Sequence, residues 1–177
     1  MKNIVFLKLP FLYCWLLAAL PSKAQSGLEG RAAKAIYVEV AGSSPGLSLN
    51  YDTRFRAGLT GLGVRAGVGV MGGFSEGALS GYTAPFLLNY VLGKGRIALE
   101  IGAGVAVGYA TRTGTNPLTG VQVNEEGFLL LGSTGNLGLR LQPAKTGLQG
   151  RLYWSPFLTG DGLSLARIGL SLGVGFR

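Results

Sequence analysis

The stretch Ile97-Ala98-Leu99-Glu100-Ile101-Gly102-Ala103-Gly104-Val105-Ala106-Val107-Gly108-Tyr109 decides the fold. Ile97, Leu99, Ile101, Val105, Val107 and Tyr109 fall on one side of a two-residue period, opposite Glu100, Gly102, Gly104, Gly108 and the preceding Arg96. Side chains alternate between faces every second residue in a strand, and recur every ~3.6 residues in a helix. The segment is therefore a strand.

The same rhythm restarts after each glycine-rich or proline-bearing break, which gives eight runs: about 35–42, 46–55, 61–71, 80–92, 96–110, 127–142, 147–157 and 164–176. Ile36, Val38 and Val40 oppose Tyr37 and Glu39; Leu47, Leu49 and Tyr51 oppose Ser48, Asn50, Asp52 and Arg54; Ile168, Leu170, Leu172, Val174 and Phe176 oppose Gly169, Ser171, Gly173 and Gly175. Leu87 blurs the fourth run, and the sixth is clear only in its second half, from Asn136 to Leu141. No part of the chain after the first 24 residues carries a helical stripe, so the fold is all-β.

Residue type decides which face points inward. A soluble barrel would need a water-facing side rich in Lys and Glu. The non-aliphatic side here is Gly, Ser, Thr and Asn with a thin set of ions, and Lys34, Lys94 and Lys145 fall at strand ends or in turns. Aliphatic residues turned toward lipid, with glycines and small polar groups crowded into a narrow interior, fit the pattern instead. Aromatic residues near strand ends (Tyr51, Phe55, Tyr90, Tyr109, Trp154, Phe157, Phe176) suit girdles at the two membrane interfaces.

The composition agrees. Charged residues make up 14% of the 177-residue chain, against about 25% in a soluble domain, and the mean hydropathy is +0.36. The 31 glycines are far more than average usage supplies. Histidine is absent, which removes the commonest general base and metal ligand together.

Residues 1–24 read as a cleaved secretory signal peptide: a basic start (Lys2, Lys8), an apolar run from Leu9 to Leu20, and then Ser22-Lys23-Ala24. The apolar run is too short to span a bilayer as a helix. Cleavage leaves a barrel domain over 25–177. It removes three lysines and no acids, so the net charge of +8 becomes +5. The only cysteine, Cys14, leaves with it, so the mature chain has no disulfide or thiolate chemistry.

Connection lengths test the barrel separately. Outer-membrane barrels alternate short periplasmic turns with longer external loops. The turns at Arg56–Thr60, Gly93–Gly95 and Pro143–Thr146 are short, the connections at about Gly72–Leu79 and Thr111–Glu126 are long, and Ser43–Pro45 and Thr159–Gly162 are short. Both long loops fall on the external side. An adhesin or receptor role would reside in them, and Arg112 there is a neighbour for lipopolysaccharide phosphates. Because an open sheet edge is not tolerated in lipid, strand one must pair with strand eight.

The signal peptide, the eight alternating strands and the final strand Leu170-Ser171-Leu172-Gly173-Val174-Gly175-Phe176-Arg177 resemble the small eight-stranded outer-membrane barrels of Gram-negative bacteria, similar to the transmembrane domain of outer-membrane protein A. Gln25 after the cleavage site and Ser48-Leu49-Asn50-Tyr51 resemble versions common in Bacteroidota. The resemblance implies a closed up-and-down antiparallel barrel integral to the outer membrane. It also implies contacts with outer-membrane lipid and lipopolysaccharide, and a last strand (Leu170, Leu172, Val174, Phe176) read by the barrel-assembly machinery. Arg177 follows the usual terminal aromatic.

Eight ionisable residues share the expected inner face: Glu39, Asp52, Arg54, Arg65, Glu100, Arg140, Arg151 and Arg167. Desolvated charges need partners, so an interior salt-bridge network filling the lumen is expected. The role is then structural or surface-interactive, in a monomer. A narrow anion-leaning pore is the alternative, favoured by the excess of arginine, and a periplasmic lipocalin-like ligand-binding barrel is a second. Catalysis is not expected: there is no histidine, the lysines are in turns, and neighbouring arginines would keep the carboxylates ionised. Gly102-x-Gly104-x-x-x-Gly108 precedes no helix and is a lumen face, not a nucleotide loop. No basic cluster suits nucleic acid, and Glu125-Glu126 lack the spacing of a cation loop. No cofactor or metal is implied.

Overall fold

The computed structural model describes residues 31–72, 79–115, 122–124, 127–143, 145–160 and 162–177. The signal segment, Glu125-Glu126 and the middle of both long loops lie outside the described residues, as does the side chain of Arg112. The strand segments are β1 (Lys34–Val40), β2 (Leu47–Arg54), β3 (Gly61–Met71), β4 (Leu79–Leu92), β5 (Ile97–Thr115), β6 (Gln122–Asn124), β7 (Phe128–Leu141), β8 (Gly147–Trp154), β9 (Phe157–Thr159), β10 (Gly162–Ser164) and β11 (Ile168–Phe176).

These segments make eight staves. β1 to β5 and β7 supply six, β8 continued by β9 a seventh, and β10 continued by β11 the eighth; β6 pairs only the far end of β5. Every pairing between named strands is antiparallel, and β1 lies between β2 and β11, with Lys34 opposite Phe176 and Val40 opposite Leu170. The first and last staves thus close the sheet on itself, as the absence of a tolerated edge requires. The fold is a closed eight-stranded antiparallel up-and-down barrel, with the start of β1 and the end of β11 at one rim.

Two irregularities have local causes. The ladder between β3 and β4 lapses where Gly67-Val68 would face Ala84-Pro85, because proline has no N–H to give. Along β8 and β9, the register with β7 runs unbroken from Leu137 opposite Trp154 to Thr134 opposite Phe157. On the other side Trp154 faces Ile168 while Phe157 faces Ser164, so Ser155-Pro156 oppose the three residues Leu165–Arg167. That is a β-bulge. It is pinned by the Trp154 indole N–H donating to the Leu165 carbonyl at 2.6 Å and by the Ser155 N–H donating to the Arg167 carbonyl at 2.9 Å.

The faces follow the alternation, turned inside out relative to a water-soluble protein. Ile36, Val38, Leu49, Val68, Val107, Leu139, Leu152 and Leu172 are exposed, while Tyr37, Glu39, Asn50, Asp52, Arg65, Glu100, Arg140 and Arg151 are buried. Leu87, which blurred its run, points inward and is wholly buried; the register sets Gly104 against it, and a Cβ there would meet Leu87. Tyr51, Phe55, Tyr109 and Trp154 are exposed as girdle residues should be. Phe157 corrects that expectation. It is buried in the lumen, because the parity of β8 (Gln149, Arg151, Tyr153 and Ser155 inward) carries through the break at Pro156.

Glycines make room for the two inward tyrosines. Gly173 stands opposite Tyr37, and Gly138 opposite Tyr153. A Cβ at either position would run into the facing backbone and into the root of the tyrosine side chain.

The fifth connection is shorter than its composition suggests. β5 continues to Thr115, and Thr113–Thr115 pair with β6, so both flanks of the expected loop are hydrogen-bonded strand. At the same rim the β1–β2 turn folds inward. Ala41 takes φ +56°, its N–H bonds the Gly46 carbonyl at 2.8 Å, and Ser43 and Ser44 are buried.

Gly173→Val is expected to destabilise the barrel by about 1–3 kcal/mol through overpacking. Gly150→Ala, where a Cβ meets nothing closer than 3.7 Å, should stay within about 0.5 kcal/mol of the parent. Urea unfolding of the refolded protein in detergent micelles measures both.

Candidate functional site

The lumen brings ionisable side chains together, and the strands place them in layers along the barrel. Nearest the rim where β1 begins and β11 ends lies a group built from four staves: Asp52 and Arg54 on β2, Glu100 on β5, Arg140 on β7 and Arg151 on β8. Each sits at an inward position and is almost wholly buried.

Asp52 is the hub. Its Oδ2 accepts from Arg140 Nη1 and from Arg151 Nη2, both at 2.6 Å, and its Oδ1 accepts from Arg54 Nη2. Glu100 Oε2 lies 3.2 Å from Arg140 Nη1 and 3.3 Å from Arg151 Nε. Asn89 joins the two carboxylates through its amide nitrogen, 3.1 Å from Asp52 Oδ1 and 2.9 Å from Glu100 Oε1, while its oxygen accepts from Arg54 at 2.7 Å. Asn136 donates to Glu100 Oε1 at 3.2 Å, and Arg140 Nη2 donates to Gln149 Oε1 at 3.3 Å. The Arg151 guanidinium lies over the Tyr37 ring, 3.9 Å from its centroid.

A second layer, toward the opposite rim, is electrically neutral. Arg65 Nη1 is 3.2 Å from Glu39 Oε2. Glu39 Oε1 accepts from the Ser43 N–H at 2.7 Å and from its hydroxyl at 2.8 Å, and Arg65 Nη2 donates to the same hydroxyl at 2.7 Å. Arg65 Nη1 also reaches the Tyr153 hydroxyl at 3.4 Å. The inward-folded turn is thus tied to the network, which explains its burial.

Seven of the eight residues expected on the inner face meet in these two layers. Arg167 does not. It is the last residue of the bulged segment at the mouth, half-buried, donates to the Gly42 carbonyl at 3.0 Å and lies 4.8 Å from the Phe157 ring centroid; no carboxylate among the described residues is in ion-pair range. Asn89, Asn136, Gln149, Ser43, Tyr37 and Tyr153 complete the network beyond the ionisable set. Parity could have found Tyr37, Gln149 and Tyr153, each of which shares the inward phase of a charged neighbour two residues away.

The chemistry of such a set is electrostatic. Guanidinium does not give up its proton in a protein, and each buried carboxylate faces at least one. Among the described residues no group of three acids, histidines or cysteines is placed to hold a metal ion.

Asp52→Asn leaves three buried guanidiniums with one carboxylate between them, so a loss of about 3–5 kcal/mol is expected. The loss should persist in ~1 M salt, because buried pairs are poorly screened. Arg167→Gln should cost under about 1 kcal/mol. Micelle unfolding at two salt concentrations separates the two. No protein-family model matches the sequence, and no curated protein does. Among solved structures the barrel is similar to the N-terminal β-barrel domain of Pseudomonas aeruginosa OprF, with a TM-score of 0.51 and 13% identity over 82% of this chain and 95% of that one. Neisserial surface protein A (NspA) aligns with a TM-score of 0.44 and 16% identity, over 82% of this chain and 94% of that one. The likeness to the OprF domain shows the fold: a closed eight-stranded barrel of the outer-membrane type.

Proposed function

We propose that this chain is an integral outer-membrane protein, one of the small eight-stranded barrels of Gram-negative bacteria in the form common in Bacteroidota. Its role is structural or surface-interactive, and its lumen is filled by the ionic network. The observation that carries the reading is the inversion of the two faces: a continuous belt of exposed Leu, Val and Ile around a core of paired charges. In water that arrangement would expose a large apolar area; in a bilayer the belt meets acyl chains.

Residues 1–24 serve as the export signal, and the mature barrel begins at Gln25. It is a monomer whose neighbours are lipid and lipopolysaccharide. The assembly machinery reads β11, which offers Leu170, Leu172 and Val174 on the outer face with Phe176 at the rim. Neither nucleic acid nor catalysis enters this reading, because the lumen carboxylates are all held in ion pairs with arginine. The excess of guanidinium over carboxylate favours an anion-leaning pore as the second reading. A lipocalin-like barrel needs an apolar interior and a polar exterior, the reverse of these faces.

Extraction tests the location: the protein should stay with membranes in alkaline carbonate, dissolve in detergent, and migrate differently on electrophoresis when unheated. Release by carbonate overturns the membrane reading. In planar bilayers no large stable conductance is expected, and one that favours anions establishes the pore instead. Phe176→Ala should lower the fraction assembled in the membrane several-fold without changing export, read by the heat-modifiable band.

A further inference from the structure

The lumen arginines outnumber their acids. In the layer around Asp52, three guanidiniums (Arg54, Arg140, Arg151) face two carboxylates (Asp52, Glu100). The neighbouring layer cannot supply the difference, because Glu39 is matched by Arg65. No other carboxylate among the described residues pairs with these arginines. A buried positive charge left over is costly, and arginine cannot shed it by losing a proton.

Hydrogen-bond donors are left over in the same place. Arg151 Nη1, Gln149 Nε2 and the Tyr37 hydroxyl are buried and have no acceptor on the protein. The register brings them to one patch of wall. Gly173 on β11 is paired with Tyr37 on one side and with Gln149 on the other, and Arg151 is the next inward residue along β8 from Gln149. Gln149 Oε1 is taken by Arg140, which leaves its amide N–H groups pointing elsewhere. The Arg151 guanidinium lies on the Tyr37 ring.

We infer that the lumen binds one small monovalent anion of the halide class on the wall formed by β8, β11 and β1, held by Arg151, Gln149 and Tyr37. The charge count sets the valence: one negative charge neutralises the layer, and a dianion would overshoot. Size follows from burial, since all three side chains are at most 3% exposed. Donors without acceptors select an anion over a cation. The site rests on the closed lumen alone and not on the membrane assignment or on the absence of conduction.

The refolded barrel in detergent is melted in sodium bromide, sodium chloride and sodium gluconate at equal ionic strength, and crystals are grown from bromide. Higher melting temperatures in both halides than in gluconate are expected, with an anomalous bromide peak touching Arg151 and Tyr37. Tyr37→Phe keeps the ring beneath the guanidinium and should weaken apparent bromide affinity about tenfold, the loss of one hydrogen bond to a charged partner. Arg151→Gln balances the layer and should abolish the halide effect. Identical melting curves in all three salts, together with no anomalous density on this wall, overturn the proposal. An open conductance in bilayers would sink the filled-lumen reading and leave a bound bromide in place.

Discussion

A narrow lumen cannot hold an unpaired charge, and much of this structure follows from that constraint. Asp52 touches three arginines from three different staves, β2, β7 and β8, and Glu100 from β5 touches two of the same arginines. The Asp52–Arg54 contact lies within β2, and the others run between staves. They therefore oppose any change of register that would turn a stave's inner face outward. Buried ion pairs of this kind are weak evidence for stability, because their desolvation cost is of the same order as their attraction. Their physical effect here is specificity: only one phase of each strand brings the charges together.

The packing around the charges is arranged to the same end. Tyr37 and Tyr153 are large side chains inside a narrow tube, and each is accommodated by glycine on an adjacent stave. Their rings then serve as surfaces for Arg151 and Arg65, whose guanidiniums lie 3.9 and 5.5 Å from the ring centroids. A weakly hydrated planar cation suits such a ring better than an ammonium does. This gives a physical reason for the lumen to use arginine and leave the lysines exposed at strand ends and in turns.

Much of this was legible in the sequence: alternation gives the eight staves, and residue type adds which face points inward and so the identity of the buried charges. What escaped had no signal in a period of two. Thr111–Thr115 carry no apolar alternation, so the sequence does not mark the extension of β5. Phe157 was placed by residue type at an interface, although the parity of its own strand puts it inside. Ser43 and Ser44 looked like an ordinary turn because their burial depends on Glu39, Arg65 and Thr83 reaching them from elsewhere. The pairing of Asp52 with Arg140 and Arg151 spans 88 and 99 residues of chain. Partner choice over that distance depends on the stagger of neighbouring strands, which composition does not encode. Arg167 shared the parity of its neighbours but lies in a bulge, where the extra residue moves it away from the network.

The seam between β1 and β11 joins Lys34 to Phe176, the first and last strand residues of the sheet. Contacts of such sequence separation form late, because the loop they close carries the greatest entropy cost. Until the last nine residues of strand are in place, β1 has an unpaired edge and the barrel is an open sheet with a greasy outer face. The barrel cannot close before β11 is available, and an incomplete sheet is prone to aggregate. Folding of this barrel is therefore an event of the whole sheet, timed by the arrival of β11 and not by the order in which the earlier strands are delivered.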